Sequence, residues 1–178
     1  AINIKKENKK YLPGYRLEDN LRATCDISAI ASSQLIIFCI PSGSFREVLD
    51  QADQYIKEDN YLVSATKGVE EGEFTLMSQI LKEKGYKENL IGILSGPNLA
   101  KEIIEDQLTG TVIASKNNQL NLDFMKVFSS DSFRVYTNTD PFGVELRGAL
   151  KNIYAIACGI ADGLEAGENT VGMIMTRG

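Results

Sequence analysis

Four short apolar runs, rich in β-branched residues, punctuate the first two thirds of the chain at residues 35–40, 61–65, 90–94 and 110–114. Each is bounded by Gly, Pro, Ser or Asn and has the length of a buried strand. Between them, residues 45–56 and 74–81 show helical spacing, the second through Leu76, Ile80 and Leu81. Strands alternating with helices of this length predict βαβ crossovers and a mostly parallel sheet, an α/β fold. A shorter run at 133–136 reads as a further, marginal strand.

The pattern changes after Asp140-Pro141. Residues 142–164 predict one long helix, with Leu146, Leu150, Ile153, Ala157, Ile160 and Leu164 forming an apolar stripe. At about 100° per residue, Gly148, Lys151, Ala155 and Asp162 fall on the opposite side. A helix apolar on one side and small on the other is expected to pack on both, which would leave Lys151 partly enclosed. Gly163 and Gly167 mark the stop, and Asn169 is positioned to cap a following helix. The expected organisation is therefore residues 1–140 as an α/β unit and 141–178 as the start of a helical domain. There are no internal repeats or low-complexity tracts.

Composition narrows the function classes. The 178 residues are 43% hydrophobic and 24% charged, with a net charge of −5. That balance, without a dense basic cluster, argues against nucleic acid as the partner. Lys5-Lys6 and Lys9-Lys10 form a small basic patch, read as a solvated helix face. No apolar run approaches the ~18 residues of a membrane span, and no secretory signal opens the chain. Cys25, Cys39 and Cys158 are odd in number and widely spaced, which favours reduced thiols in a cytoplasmic protein. The sequence contains no histidine, so Ser-His and Cys-His pairs and His-based zinc sites are excluded; no metal site is expected.

In an open parallel sheet, ligands bind outside the carboxyl ends of the strands. Three loops should lie there: Pro41-Ser42-Gly43, Thr66-Lys67-Gly68-Val69-Glu70 and Ser95-Gly96-Pro97-Asn98. Gly permits close backbone approach, Lys67 places a cation in the crevice, and Asn98 stands near a helix N-terminus. Any one loop reads as an ordinary turn; the three together predict a ligand crevice. Lys151-Asn152 is the other constellation. On an amphipathic helix such a pair is usually solvated, but Gly148, Ala149 and Ala155 surround it. A desolvated lysine has a lowered pKa, as an acid or base working near neutrality requires. Its ammonium suits a reaction that places negative charge on a carbonyl oxygen, and the adjacent Asn could orient that carbonyl.

These residues belong to an ordered series. Tyr11-Leu12-Pro13-Gly14, Ala23-Thr24-Cys25-Asp26, and Ile40-Pro41-Ser42 with Arg46 open it. Ser64-Ala65-Thr66-Lys67-Gly68, Leu94-Ser95-Gly96-Pro97-Asn98 with Ala100-Lys101-Glu102, and Phe133-Arg134-Val135-Tyr136-Thr137-Asn138 follow. Gly143-Val144-Glu145-Leu146, Gly148-Ala149-Leu150-Lys151-Asn152, Gly159-Ile160-Ala161-Asp162-Gly163-Leu164 and Thr176-Arg177-Gly178 close it. The set resembles the bacterial NAD(P)-dependent glycerol-3-phosphate dehydrogenases along essentially the whole chain. The resemblance implies a Rossmann-type parallel sheet followed by the first helices of an all-α substrate domain. It also implies interconversion of dihydroxyacetone phosphate and sn-glycerol 3-phosphate with NAD or NADP, supplying glycerol 3-phosphate for phospholipid synthesis, in a homodimer. By motif, Lys151, Asn152 and Lys67 match catalytic positions, and Lys67, Gly96, Asn98 and Lys151 match substrate contacts. Pro41, Ser42, Lys67 and Ala100 match cofactor contacts.

The family's first βαβ with its GxGxxG loop has no counterpart among these residues. Neither has its later Asp and Arg-Asn pair. The expectation is an internal piece of the enzyme, inactive alone. Two other readings remain open here: a related two-domain dehydrogenase acting on a 3-hydroxy acid or ketopantoate, and a non-catalytic α/β module. The Thr-Lys-Gly-Val-Glu loop with the Gly-Ala-Leu-Lys-Asn helix favours the first family over the former, and retention of Lys67, Lys151 and Asn152 weighs against the latter.

Overall fold

A computed structural model describes residues 2–177. A short helix, α1 (Ile2–Lys5), leads into an antiparallel hairpin, β1 (Glu7–Asn8) and β2 (Leu12–Arg16). The basic patch is therefore not a helix face. Only Lys5 is helical, Lys6 takes a positive φ of 48° as the helix ends, and Lys9 and Lys10 lie in the hairpin turn.

The main sheet has five strands in chain order: β3 (Leu35–Phe38), β4 (Tyr61–Ser64), β5 (Ile91–Ser95), β6 (Thr109–Ala114) and β7 (Phe133–Asn138). The four apolar runs all form strands. The fifth is not marginal, because β7 pairs with β6 over six residues, Thr109↔Phe133 through Ala114↔Asn138. Neighbours are parallel except β5 and β6, which run antiparallel. The chain there makes no return crossover. Its short helix α4 (Ala100–Ile104) packs on β2 instead of spanning the sheet, and Glu105 just beyond it accepts a hydrogen bond from the Tyr15 hydroxyl.

Two expected helices are shorter than their patterns. Helix α2 (Phe45–Ala52) ends in a 3-10 turn at Asp53–Tyr55. Helix α3 (Met77–Glu83) starts late, where the Gln79 side chain accepts from the Leu76 amide at 2.8 Å. One helix, α5 (Asn118–Phe128), is not signalled by the apolar spacing; the Asn117 side chain caps it by accepting from the Gln119 amide at 3.0 Å.

Alternation along the strands splits the core. Ile36, Phe38, Leu62 and Ile91 face α2 and α3, packing on Phe45, Leu49, Met77, Ile80 and Leu81, all buried. Val63, Ile113 and Val135 face the other way, against Leu120 and Phe124 of α5. Each fully buried side chain of this size contributes ~1.5–3 kcal/mol.

The chain then forms α6 (Pro141–Gly163) and α7 (Glu168–Arg177). Asp140 caps α6 by accepting from the Gly143 amide at 3.0 Å, with Pro141 in the first turn, where its missing N–H costs nothing. Asn169 does not cap α7. It lies inside the first turn, and the Gly167 carbonyl starts the helix by accepting from the Thr170 and Val171 amides. The predicted apolar stripe of α6 does not face the sheet: Ile153, Ile160 and Leu164 are 61%, 59% and 75% exposed. Helix α6 meets β5 and β6 through its small and polar side, and α7 packs back on it.

Candidate active site

Strands β3, β4 and β5 are parallel, adjacent and in register, with Phe38 beside Ser64 and Ser64 beside Ile93. Their carboxyl ends therefore deliver the three predicted loops to one edge of the sheet. The loops are packed together. The Thr66 hydroxyl donates to the Ile40 carbonyl at 2.9 Å and accepts from the Ile40 amide at 3.3 Å. Gly68, at φ +124°, lies so close to Ser42 that a Cβ would meet its Oγ at 2.8 Å. On the outer side, Arg46 holds the same loop. Its guanidinium donates to Glu70 at 2.5 and 2.9 Å and to Glu83 at 2.6 Å, which pushes the guanidinium pKa further up. The group is partly exposed, so this pairing adds little stability but restricts where the Lys67 loop can move.

Lys67 crosses from this loop to the next, donating from Nζ to the Gly96 carbonyl at 2.8 Å. Its side chain is exposed at the crevice, and its pKa is lowered, first by burial of part of the ammonium's surroundings and then by the charge of Lys151. Gly96 is equally constrained. A Cβ there would stand 2.9 Å from each of Gly110 O, Thr111 Cα and Thr111 Oγ1. The antiparallel β6 creates this closeness by bringing its amino end beside Ser95. The Thr111 hydroxyl donates to the Ser95 carbonyl and accepts from Asn98 Nδ2, both at 3.1 Å. Asn98 also donates its backbone amide to Gly96 O at 3.0 Å. Its Oδ1 is buried without a partner.

Helix α6 supplies the opposing wall. Gly148 abuts Ser95, whose Oγ would lie 2.8 Å from a Cβ at that position. Three residues earlier, Glu145 is buried and accepts from the Ser78 amide at 3.0 Å and from the Ser78 hydroxyl. Lys151 and Asn152 follow on this helix. Both are exposed, so the enclosure predicted for Lys151 is absent. The reason is geometric: α6 is held to the α/β unit around 145–148, and residues 151–156 run clear of it. The lysine whose pKa the fold lowers is Lys67.

The fold thus brings together Lys67, Gly96 and Asn98, with Ser42 on the flank, and seats the helix that carries Lys151 on Ser95. Pro41 is exposed just before the 3-10 turn Ser42–Ser44, and Ala100 is exposed at the start of α4. Neither shares a hydrogen bond with the lysines. Sequence reasoning did not single out Thr111, Ser78 or the burial of Glu145. A lone Thr in a strand and a Glu in a helix carry no local signal, and their roles arise from tertiary contacts.

The carboxyl-end loops of a mostly parallel α/β sheet thus face a lysine-bearing helix of a second, helical segment. Two family models match the chain. Residues 1–121 match the NAD-dependent glycerol-3-phosphate dehydrogenase N-terminus, and residues 140–178 match the C-terminus of the same family. The chain belongs to the NAD-dependent glycerol-3-phosphate dehydrogenase family. It is 48% identical over 173 residues to glycerol-3-phosphate dehydrogenase [NAD(P)+] of Saccharophagus degradans, covering 97% of this chain and 48% of that protein. With the Teredinibacter turnerae enzyme of the same name it shares 49% over 175 residues, 98% of this chain and 51% of that one. The crystal structure of glycerol-3-phosphate dehydrogenase from Coxiella burnetii superposes with a TM-score of 0.84 at 34% identity, covering 99% of this chain and 54% of the other. A Saccharomyces cerevisiae enzyme gives 0.85 at 30%, covering 97% and 52%. The chain spans about half the length of the curated relatives it matches. No helix among the described residues is long and apolar enough to cross a membrane.

Proposed function

We propose that the protein carrying this chain interconverts dihydroxyacetone phosphate and sn-glycerol 3-phosphate with NAD or NADP. The observation that carries the reading is Lys67 anchored on Gly96 O at the crevice, with the helix that bears Lys151 seated beside it through Gly148 on Ser95. An ammonium held at a strand-end crevice and faced by a lysine-bearing helix suits a small anionic ketone. Residues 1–140 serve as the dinucleotide-binding unit and 141–178 as the opening of the substrate domain, whose remainder would cover the exposed stripe of α6. A homodimer in the cytoplasm, supplying glycerol 3-phosphate for phospholipid synthesis, is the matching biological setting.

The residues present fit part of a nicotinamide dinucleotide. Gly68 lies so close to Ser42 that no Cβ fits between them, which sets the 41–43 and 66–70 loops side by side as the two walls of a cofactor site. Pro41, Ser42, Lys67 and Ala100 would hold the cofactor, while Gly96, Asn98, Lys67 and Lys151 would hold the substrate. When bound, the reduced cofactor supplies hydride to the carbonyl carbon. Lys151 donates its Nζ proton to the oxygen on which charge develops, Asn152 orients the carbonyl, and the Lys67 charge stabilises the oxyanion.

Lys151→Met in the product of the complete reading frame tests the assignment. Met keeps the length and helix propensity of the side chain, and Lys151 is exposed, so folding should be unchanged. Loss of the acid typically costs ~10²–10⁴-fold in rate, expected in kcat with cofactor binding unchanged. Near-native turnover by this variant would remove Lys151 from the mechanism.

A further inference from the structure

We infer that Glu145 is a positioning residue for the two-lysine site: its buried carboxylate docks α6 on the first turn of α3 and so fixes where Lys151 stands relative to Lys67. The inference rests on the reading of those lysines as the reacting pair.

Glu145 is 4% exposed, and only it and Ala161 are buried on a 23-residue helix. Buried carboxylates are usually paired with a cation, yet no salt bridge among the described residues includes this one. Its partners are the amide and hydroxyl of Ser78 and the amide of Met77, with Lys82 the cation that acts on it from a distance. Those amides open α3 and have no acceptor within the helix. An apolar side chain there would leave the buried Ser78 donors without an acceptor. A carboxylate adds direction, because it is satisfied in one orientation only.

The contact lies where it controls the chemistry. Glu145, Gly148 and Asn152 share a face of α6, with Lys151 one residue to the side. Glu145 fixes α6 on α3, and Gly148 seats it on Ser95, whose neighbour Gly96 accepts from Lys67. Lys151 stands six residues, about 9 Å, further along a stiff helix. Both lysines are thus referenced to the same end of β5, one through Gly96 and the other through the Gly148–Ser95 contact, while the Glu145–Ser78 contact fixes the same helix on α3. If the first contact of α6 is released, Lys151 swings while Lys67 stays.

The test uses the product of the complete reading frame and the variants Glu145→Ala, Glu145→Gln and Ser78→Ala. Titration of Lys67 is followed by NMR of 13C-methylated lysines, with the resonance assigned by Lys67→Arg. Release of Lys151 should let the Lys67 pKa climb toward its ordinary value in Glu145→Ala, and in the same direction in Ser78→Ala. The Ala variant should lose about ten-fold or more in kcat while KM for the cofactor stays within two-fold. Glu145→Gln, which keeps the shape and an acceptor, should restore both. An unchanged Lys67 titration in a folded Glu145→Ala protein overturns the inference. If that variant does not fold, an unchanged titration in Ser78→Ala does so. Absence of any glycerol-phosphate turnover in the unmodified protein would refute the proposed function instead, and the Lys67 titration would still decide the role of Glu145.

Discussion

Gly96→Ala puts the geometry of the crevice under direct load. The new Cβ would meet three atoms at 2.9 Å, two of them backbone or Cα atoms of β6 that cannot rotate away. Ordinary contact begins near 3.4 Å, so the 95–98 loop must retreat by about 0.5 Å. Overpacking of this kind costs ~1–3 kcal/mol. For a chain of this size each kcal/mol lowers Tm by about 2–4 °C, so a drop on the order of 5 °C is expected in a circular-dichroism melt. The catalytic effect should be larger in proportion. The same retreat moves the carbonyl that holds Lys67 and the backbone that places Asn98, and a misplacement of ~1 Å can cost about 10²-fold in rate. Half that displacement should cost roughly ten-fold in kcat, measured as initial rates of NADH- or NADPH-dependent ketone reduction by the complete protein. A variant whose Tm stays within about 1 °C and whose kcat stays within about two-fold would refute both the packing argument and the link from Gly96 to Lys67.

Lys67→Ala should raise KM for the anionic substrate and lower kcat, and Lys67→Arg should recover only part of each, since a guanidinium differs in shape and does not titrate near neutrality; full activity of the Ala variant would reduce Lys67 to a turn residue. Burial pushes the Glu145 carboxyl above its ordinary 4.5, against the opposing pull of Ser78, Met77 and Lys82. A raised folded-state pKa means that the protonated form stabilises the fold fully below 4.5, and that this share is lost as pH rises through the folded value. Glu145→Gln should therefore match the native protein in acid and gain on it toward neutrality, as read from paired thermal melts across that range. A constant difference at all pH values would show that Glu145 does not carry the effect.

The sequence made the strands legible because their apolar runs are short and sharply bounded, and alternation within 35–38 already separates Ile36 and Phe38 from Leu35 and Ile37. Helix α5 stayed hidden because Asn121, fully buried, interrupts its apolar face. That side chain donates to the Ser115 and Asn138 carbonyls at 3.1 and 3.0 Å, tying the ends of β6 and β7. A polar residue used as a tie looks like a surface residue to any periodicity argument. The β5–β6 reversal was hidden for a related reason. The direction of a strand depends on where its connection packs, and the decisive contacts of α4 are with a hairpin more than eighty residues earlier. The three crevice loops, in contrast, were legible from their shared position after parallel strands, since each alone has the composition of an ordinary turn.

Helix α6 reverses the usual sense of amphipathicity, and this explains why its reading came out half right. Its period and extent were correct, but Ile153, Ile160 and Leu164 of the stripe are exposed and Leu146, Leu150 and Ala157 only half-buried, while the face carrying Glu145 and Gly148 meets α3 and the sheet. A helix that must bring an ammonium to a crevice cannot fill the contact with leucine, because bulk at 148 would hold it away from Ser95. Small and hydrogen-bonding residues allow the backbone to approach and set its orientation. On this argument the chemistry-bearing face of a helix at such a crevice is recognised by what it lacks. Gly148 and the buried Glu145, rather than the leucines, are the residues that hold α6 against Ser95 and Ser78.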